Sequence, residues 1–484
     1  MSANAQESPP SATPPPVRLT GLAALRCGFA FAREPLTATQ RMHAAFGPFV
    51  MLDHALPLVR AKGTVMLGAP LVLTAGAAFQ AEVLSDTETW RGVSLLPGGP
   101  RGSAARRIGS GLTRLTGDAH AHYRKLVLQP LRRGTVEGLA AGMAQIAEAE
   151  VASWPLGEAI DLWDYVRRVM RKLALDLLFG GENAQSSAIA DLVSDLMERK
   201  WGASASALRL NLPFTAYGRV VRDAAELERR ILEWVAAKRG RPDARDLAAI
   251  IVNSAGVDGG SPDDAAIVGQ LASLFAAASE AAQSALTWTL FLLIAHPRIA
   301  ADLQDEILQT LGAGAPALER AAELPYLDAV VKESMRLLPP VPIQMRVAQC
   351  DTTIAGHAVP RNSRVMLNTF LTNRAAELYP EGDAFSPQRW STIAPSMFEF
   401  PVFSAGPHAC PGYWFGSLGV KIALAAILTR YRMELPPDAR VDYAVQPTFR
   451  PRRRLPVILR RADDGKPAAT QIAGTIRDLV RFPH

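Results

Sequence analysis

Cysteine is scarce in this 484-residue chain: Cys27, Cys350 and Cys410 are its three thiols. They are odd in number and far apart, and no C-x-x-C pair occurs. That excludes a disulfide framework and a thiolate zinc site, and it fits a reducing compartment. No internal repeat recurs at a fixed period, and no long linker splits the chain into independent halves. The first sixteen residues, "MSANAQESPPSATPPP", have the composition of a disordered tail and lack the basic start and apolar centre of a signal peptide. The next stretch, "VRLTGLAALRCGFAFARE", is interrupted by Arg26 and flanked by Arg18 and Arg33, too short and too charged to span a bilayer. A cytoplasmic protein without a transmembrane anchor is expected. The net charge is +6, but no nucleic-acid reading module accompanies it. The densest basic run, "FRPRRRLPVILRR" from Phe449 to Arg461, reads either as a solvated strand edge or as a docking face for an acidic protein.

What is present is a globular composition, 49% hydrophobic and 20% charged. Length alone suggests about three domains, although large single folds break that rule. Residues 62–86 read as two short strands and a helix, with Gly68 and Pro70 at the turn. From about Gly117 onward, helical spacing dominates, as in "AHAHYRKLVLQPL", "LWDYVRRVMRKLALDLLFG" and "DAAELERRILEWVAAKRG". The longest helix has Ser261 as its expected N-cap, Pro262 at its first position and Asp263 and Asp264 at its positive end. It stops before Pro297, spans roughly 50 Å at the usual rise, and is apolar nearly all round, hence buried. Its middle, "AAASEAA" (Ala276 to Ala282), sets Glu280 among side chains small enough to admit something bulky. Helix packing with Glu280 paired to a base is the plainer alternative.

Four further constellations stand out. Glu333 and Arg336, three apart on the helix "YLDAVVKESMRLLPP", share one face, and Arg389 in "AFSPQRW" is placed to join them in a buried network. His120 and Arg124 in "GDAHAHYR" are four apart and can reach one anionic group; a core histidine beside a surface arginine is the bland reading. Val341 and Ile343 follow the double proline Pro339–Pro340. In "FSAGPHACPGYWFG", Cys410 lies among Gly406, Pro407, Pro411 and Gly412, just before a helix start. Either a tight turn happens to hold a thiol or a ligand is being presented.

In their joint order and spacing these motifs resemble the cytochrome P-450 family, the haem-thiolate monooxygenases. The resemblance covers 35–461, leaving an N-terminal Pro-rich tail and lead-in (1–34) and a C-terminal extension (462–484). In that extension, "TQIAGTIRDLVRF" suggests a short amphipathic helix. The implied fold is mainly α with a small β region, holding haem between a long central helix and the cysteine loop. By resemblance, Cys410 is the thiolate ligand of a haem b iron, Gly406 and Gly412 keep its loop slim, and Phe403 packs near the sulfur. His120, Arg124, Arg346 and His408 match the residues that hold the propionates. Glu333, Arg336 and Arg389 match a structural triad that braces the loop. Ala277 and Ala278 border the oxygen site, and Val341 and Ile343 face a substrate expected to be hydrophobic.

Two departures from the family pattern matter. Ser404 stands where glycine is frequent. Glu280 and Ala281 occupy the positions of an acid–alcohol pair, so the usual threonine that helps deliver protons is missing. Three readings follow: an oxygen-dependent monooxygenase in which a substrate hydroxyl or water replaces the alcohol; a peroxide-dependent or non-oxygenating haem-thiolate enzyme; and a non-catalytic haem protein that senses or sequesters a ligand. The first implies separate electron carriers, a ferredoxin or flavodoxin with its reductase, docking on basic residues around the cysteine side.

Overall fold

A computed structural model of the chain describes residues 17–53, 70–201, 211–240, 246–311, 317–437, 439–462 and 471–483. At its centre is the helix Asp264–Ala295, whose buried residues run from Ile267 to Leu293 on nearly every face. It is long and apolar enough to cross a membrane, yet 56% of its apolar window is buried in the fold. The expected N-cap, Ser261, is corrected to Asp263. Asp263 is extended (φ −62°, ψ 136°) and is itself the N-cap, without a side-chain capping bond, so Ser261 and Pro262 precede the helix. At the other end Pro297 terminates it and opens the next helix, Pro297–Leu311.

Three helices pack around this axis: Leu162–Phe179, Pro325–Leu337 and Tyr413–Leu428. The first shows why its sequence is helical. Asp161 caps its N-terminus by accepting from the Trp163 N–H at 3.2 Å, and Gly180 ends it in the left-handed conformation (φ 73°). Between them Val166, Val169, Met170, Leu173 and Leu177 repeat at three and four residues and are all buried; the stripe therefore faces the core.

The main sheet has six strands in the order Val17–Leu19, Phe49–Leu52, Leu71–Thr74, Arg364–Asn368, Ile343–Ala348 and Trp90–Gly92. The lead-in thus supplies an edge strand, Val17 pairing in parallel with Val50. Of the elements read in 62–86, the strand Leu71–Thr74 and the helix Ala77–Ser85 are found; the strand expected before Gly68 lies outside the described residues. Two hairpins, Thr352–Ile354 with His357–Val359 and Tyr443–Val445 with Phe449–Pro451, and the antiparallel sheet Tyr431–Glu434, Pro456–Arg461 and Ala159–Asp161 complete the β structure among the described residues.

The C-terminal segment is no amphipathic helix but a strap with one 3-10 turn, Thr475–Asp478. Its backbone is bonded to the body instead: the Val441 N–H donates to Ala473 O at 2.8 Å and the Arg481 N–H to Asp383 O at 2.9 Å. Ile472, Ile476, Leu479 and Val480 are buried along it.

Candidate functional site

The loop carrying Cys410 is held open by its backbone. Pro401–Phe403 and Gly406–His408 form single 3-10 turns, and the Cys410 N–H donates back to Phe403 O at 2.7 Å. Gly406 (φ +63°) is demanded from outside the loop, since a Cβ there would lie 2.4 Å from Leu84 O at the end of the helix Ala77–Ser85. A Cβ on Gly412 would meet only Cys410 Sγ, at 3.8 Å. Of the two glycines expected to keep the loop slim, then, Gly406 accommodates the neighbouring helix and Gly412 leaves the sulfur's side clear. Ser404 adopts φ 58° and ψ −170°, a region populated almost only by glycine.

Cys410, Pro411, Gly412 and Phe403 floor a cavity of about 450 Å³. Its roof is the central helix, where Ala277, Ala278, Ala281 and Ala282 recur at the spacing of one helical face. Val341, Ile343 and Met366 close one side, and Arg346 and His408 stand at the rim. The Cys410 sulfur is open to this cavity and otherwise enclosed by the chain. Burial pushes its thiol up, while the Gly412 backbone N–H and the Arg124 guanidinium act in the opposite direction.

Glu280 does not line the cavity. It points along a second face of the helix, where Glu280, Ser284 and Trp288, four apart, seat the hairpin Tyr443–Pro451. Thr448 Oγ1 donates to Glu280 Oε2 at 3.4 Å, Trp288 Nε1 donates to Phe449 O at 2.8 Å, and Ser284 Oγ donates to the same carbonyl. Burial pushes the Glu280 carboxyl up to about 7, with Arg450 opposing.

A basic cluster, half-buried except for the fully buried His120, lies at the rim. Burial pushes the Arg346 guanidinium down to about 10; its bonds go to Met345 O (3.0 Å) and Ser404 Oγ (3.3 Å). The His408 ring lies 4.1 Å from that of His120, tilted by 45° to it, and its buried Nε2 has no hydrogen-bond partner among the described residues. His120 is buried, and both it and Arg124 have their protonated forms disfavoured by burial. Buried cations without an acid are costly, and buried polar nitrogens are normally paired. The cluster therefore has room in its bonding for anions from outside the chain. A haem, with a face for Cys410 and two carboxylates for the rim, fits this donor set.

The triad residues do meet. Arg336 pairs with Glu333 through two bonds of 2.9 Å, and Arg389 Nε reaches Glu333 Oε1 at 3.0 Å. The Ser386 N–H and Trp390 Nε1 complete the acid's shell, at 2.9 and 3.0 Å. The remaining guanidinium groups of Arg336 donate to the carbonyls of Asn373, Gly382 and Ala384. Glu333 and Arg336 side chains are wholly inaccessible.

Sequence reasoning missed the hairpin's part. Val445 and Pro447 line the cavity and Thr448 meets Glu280, but no local pattern marks a contact between residues 168 apart in sequence. It also missed the bond from Arg346 to Ser404, for which the unusual serine was the available signal.

A cavity between a small-residue helix and a loop presenting a thiol, rimmed by half-buried cations, defines a haem-thiolate protein. The chain belongs to the cytochrome P-450 family: the family model matches residues 95–449. Cyclooctatin synthase of Streptomyces melanosporofaciens is 28% identical over 438 residues, covering 85% of this chain and 94% of its own. Cyclooctat-9-en-7-ol 5-monooxygenase of the same organism is 26% identical, over 69% of this chain and 75% of its own. Pentalenene oxygenase of Streptomyces avermitilis is 28% identical, over 71% and 79%. A similar fold is seen in the retinoic acid-bound cyanobacterial CYP120A1, with a TM-score of 0.72 and 22% identity over 87% of this chain and 93% of that one. The protein is a cytochrome P-450-type monooxygenase.

Proposed function

We propose that this monooxygenase oxidises an apolar, largely aliphatic small molecule, with electrons supplied by a separate ferredoxin or flavodoxin and its reductase. One observation carries the reading. Apart from Arg346, His408 and the thiol, no titratable side chain lines the described cavity, and its upper wall is alanine, leucine, valine and isoleucine. Such a wall offers burial to hydrocarbon and no partner to a charged group. The names of the relatives point the same way, one to an olefin, pentalenene, and one to an alcohol, cyclooctat-9-en-7-ol.

In this reading Cys410 ligates the iron of haem b, and Arg346, His408, His120 and Arg124 hold its carboxylates. Bound there, the haem supplies the oxygen-activating redox chemistry, with the thiolate as its electron-rich ligand. The chain's own residues do the rest. The Gly412 N–H and Arg124 favour the thiolate, the triad braces the loop, and Ala277 and Ala278 leave room on the opposite face. Glu280 holds or releases a proton near neutrality beside Thr448, but Ala281 offers no hydroxyl at the wall. A hydroxyl on the substrate, or an ordered water beside it, fills that role.

The test is a titration of the purified ferric holoprotein, followed in the haem Soret band, with apolar compounds paired with their hydroxylated analogues. A high-spin shift with apolar compounds and none with charged ones is expected, and it is larger for the hydroxylated member of each pair. Equal shifts within every pair would remove the substrate-hydroxyl part of the reading; shifts only with charged compounds would remove the apolar part.

A further inference from the structure

The start of the basic run Phe449–Arg461 seats the hairpin on the central helix, but Arg452, Arg453 and Arg454 do not line the cavity. Arg452 Nη2 pairs with Glu34 Oε1 at 2.6 Å, and the hydroxyls of Tyr443 and Thr37 lie 3.1 Å apart. These contacts set the run against the junction of the helices Gly21–Arg33 and Pro35–Phe46. Arg452, Arg453 and Arg454 are all exposed there.

The first of those helices carries charge of one sign. Its ionisable side chains besides Cys27 are Arg26 and Arg33, and it has no acid. Leu22, Arg26, Phe29 and Arg33, at spacings of four, three and four, share one face. Leu22 is 62% and Phe29 56% exposed, unusually open for a leucine and a phenylalanine on one helix. The opposite face buries Ala24, Gly28 and Phe31. Phe31 and Ala32, with Pro35 of the next helix, line the cavity. The two acids between Val17 and Asp53 are Glu34 and Asp53, and both are ion-paired, with Arg452 and Arg18.

We infer that this face, Leu22, Arg26, Phe29 and Arg33 together with the exposed Arg452–Arg454, docks on an anionic lipid surface. Arginines alone would suit an acidic protein equally well. Bulky apolar side chains projecting between arginines suit the boundary between lipid headgroups and acyl chains, where an amphipathic helix lies in the plane of the surface. Anionic headgroups supply the opposite charge, and attraction falls as salt rises. The same helix forms a wall of the cavity, so an apolar compound dissolved in the bilayer is close to the site that takes it. That last consequence rests on the substrate reading above; the docking does not.

The test uses the full-length holoprotein, sedimented with vesicles of phosphatidylcholine alone or mixed equally with phosphatidylglycerol. Binding to the mixed vesicles only, weakening with salt, is expected. Arg26→Gln and Arg453→Gln should each lower the partition about fivefold, and Phe29→Asp at least about tenfold, with the haem spectrum and thermal midpoint unchanged. No sedimentation with anionic vesicles would overturn the inference, as would sedimentation unaffected by these variants. So would either rival occupant. An acidic ferredoxin whose reduction of this protein weakens in Arg453→Gln, without vesicle binding, would make the face a protein site. A dimer lost in Phe29→Asp, again without vesicle binding, would make it a contact between copies. Because the readout is partition rather than substrate binding, its failure leaves the substrate reading standing.

Discussion

Two charged clusters, the Glu333 triad and the basic residues at the cavity rim, are built on opposite terms. Glu333 is enclosed by Arg336, Arg389, the Trp390 indole and the Ser386 N–H, and Arg336 finds three backbone carbonyls besides. Glu333 and Arg336 there find all their hydrogen-bond partners within the chain. At the rim, Arg346 and His408 are half-buried with no carboxylate bonded to them, and the buried His408 Nε2 has no partner among the described residues. Since an uncompensated charge away from water is costly, the open cluster supports the proposal that its side chains hold an anionic ligand. Polar completeness separates a brace from a binding site, although both are rich in arginine.

The comparison breaks first at the complete cluster. Arg336→Met leaves the Glu333 carboxylate buried without its bidentate partner, a loss of about 3–5 kcal/mol. Chemical denaturation of the holoprotein should show it, and Glu333→Gln in the same chain should recover part of the loss. If Arg336→Met is instead neutral, the cluster is not a brace.

Glu280 falls between the two kinds of cluster, an acid with a hydroxyl beside it and Arg450 opposing its burial. Its carboxyl stands at about 7 in the fold against 4.5 ordinarily. The protonated form is thus the one the fold favours. The resulting penalty is absent below about pH 4.5, grows as pH rises through 7, and is complete above it, on the order of 3 kcal/mol. Glu280→Gln should therefore match the parent near pH 5 and be more stable at pH 8. Thermal midpoints across that range decide it; a constant difference would mean that Glu280 is already ionised throughout.

The open cluster gives the sharper contrast. Arg346→Met removes a half-buried cation that the chain itself does not neutralise, so the stability of the haem-free chain should hold or rise. Haem retention, measured by transfer to an excess of apomyoglobin, should fall by about 10- to 100-fold, the worth of a charge-assisted bond to a carboxylate. A fall in stability equal to that of Arg336→Met would erase the distinction between the clusters.

What was legible in the sequence follows from distance along the chain. Glu333 with Arg336 and His120 with Arg124 share helix faces by spacing alone, and the proline–glycine setting of Cys410 marks its loop. Partners brought together by the fold left no local trace. Thr448 meets Glu280 across 168 residues, and the arginine run sits beside Glu34, 418 residues before Arg452. The misplaced helix start at Ser261 and the helix expected in the C-terminal extension have a related cause. Local propensity was outvoted, once by an extended Asp263 and once by backbone bonds from the strap to Val441 and Asp383.

Ser404 joins the open cluster to the loop, and it carries the smallest effect. Its backbone, at φ 58° and ψ −170°, is strained for any residue with a side chain, while its hydroxyl accepts from Arg346 Nη2 at 3.3 Å. Two substitutions separate those terms. Ser404→Ala keeps the strain and loses the bond; Ser404→Gly loses both. Glycine should therefore be more stable than alanine by about 1 kcal/mol or somewhat more, and both should shed haem faster than the parent because Arg346 is no longer held. Equal stability of the two variants would show that the loop relaxes without cost. Haem loss faster in only one of them would place the effect in the backbone and free Arg346 from any dependence on the serine.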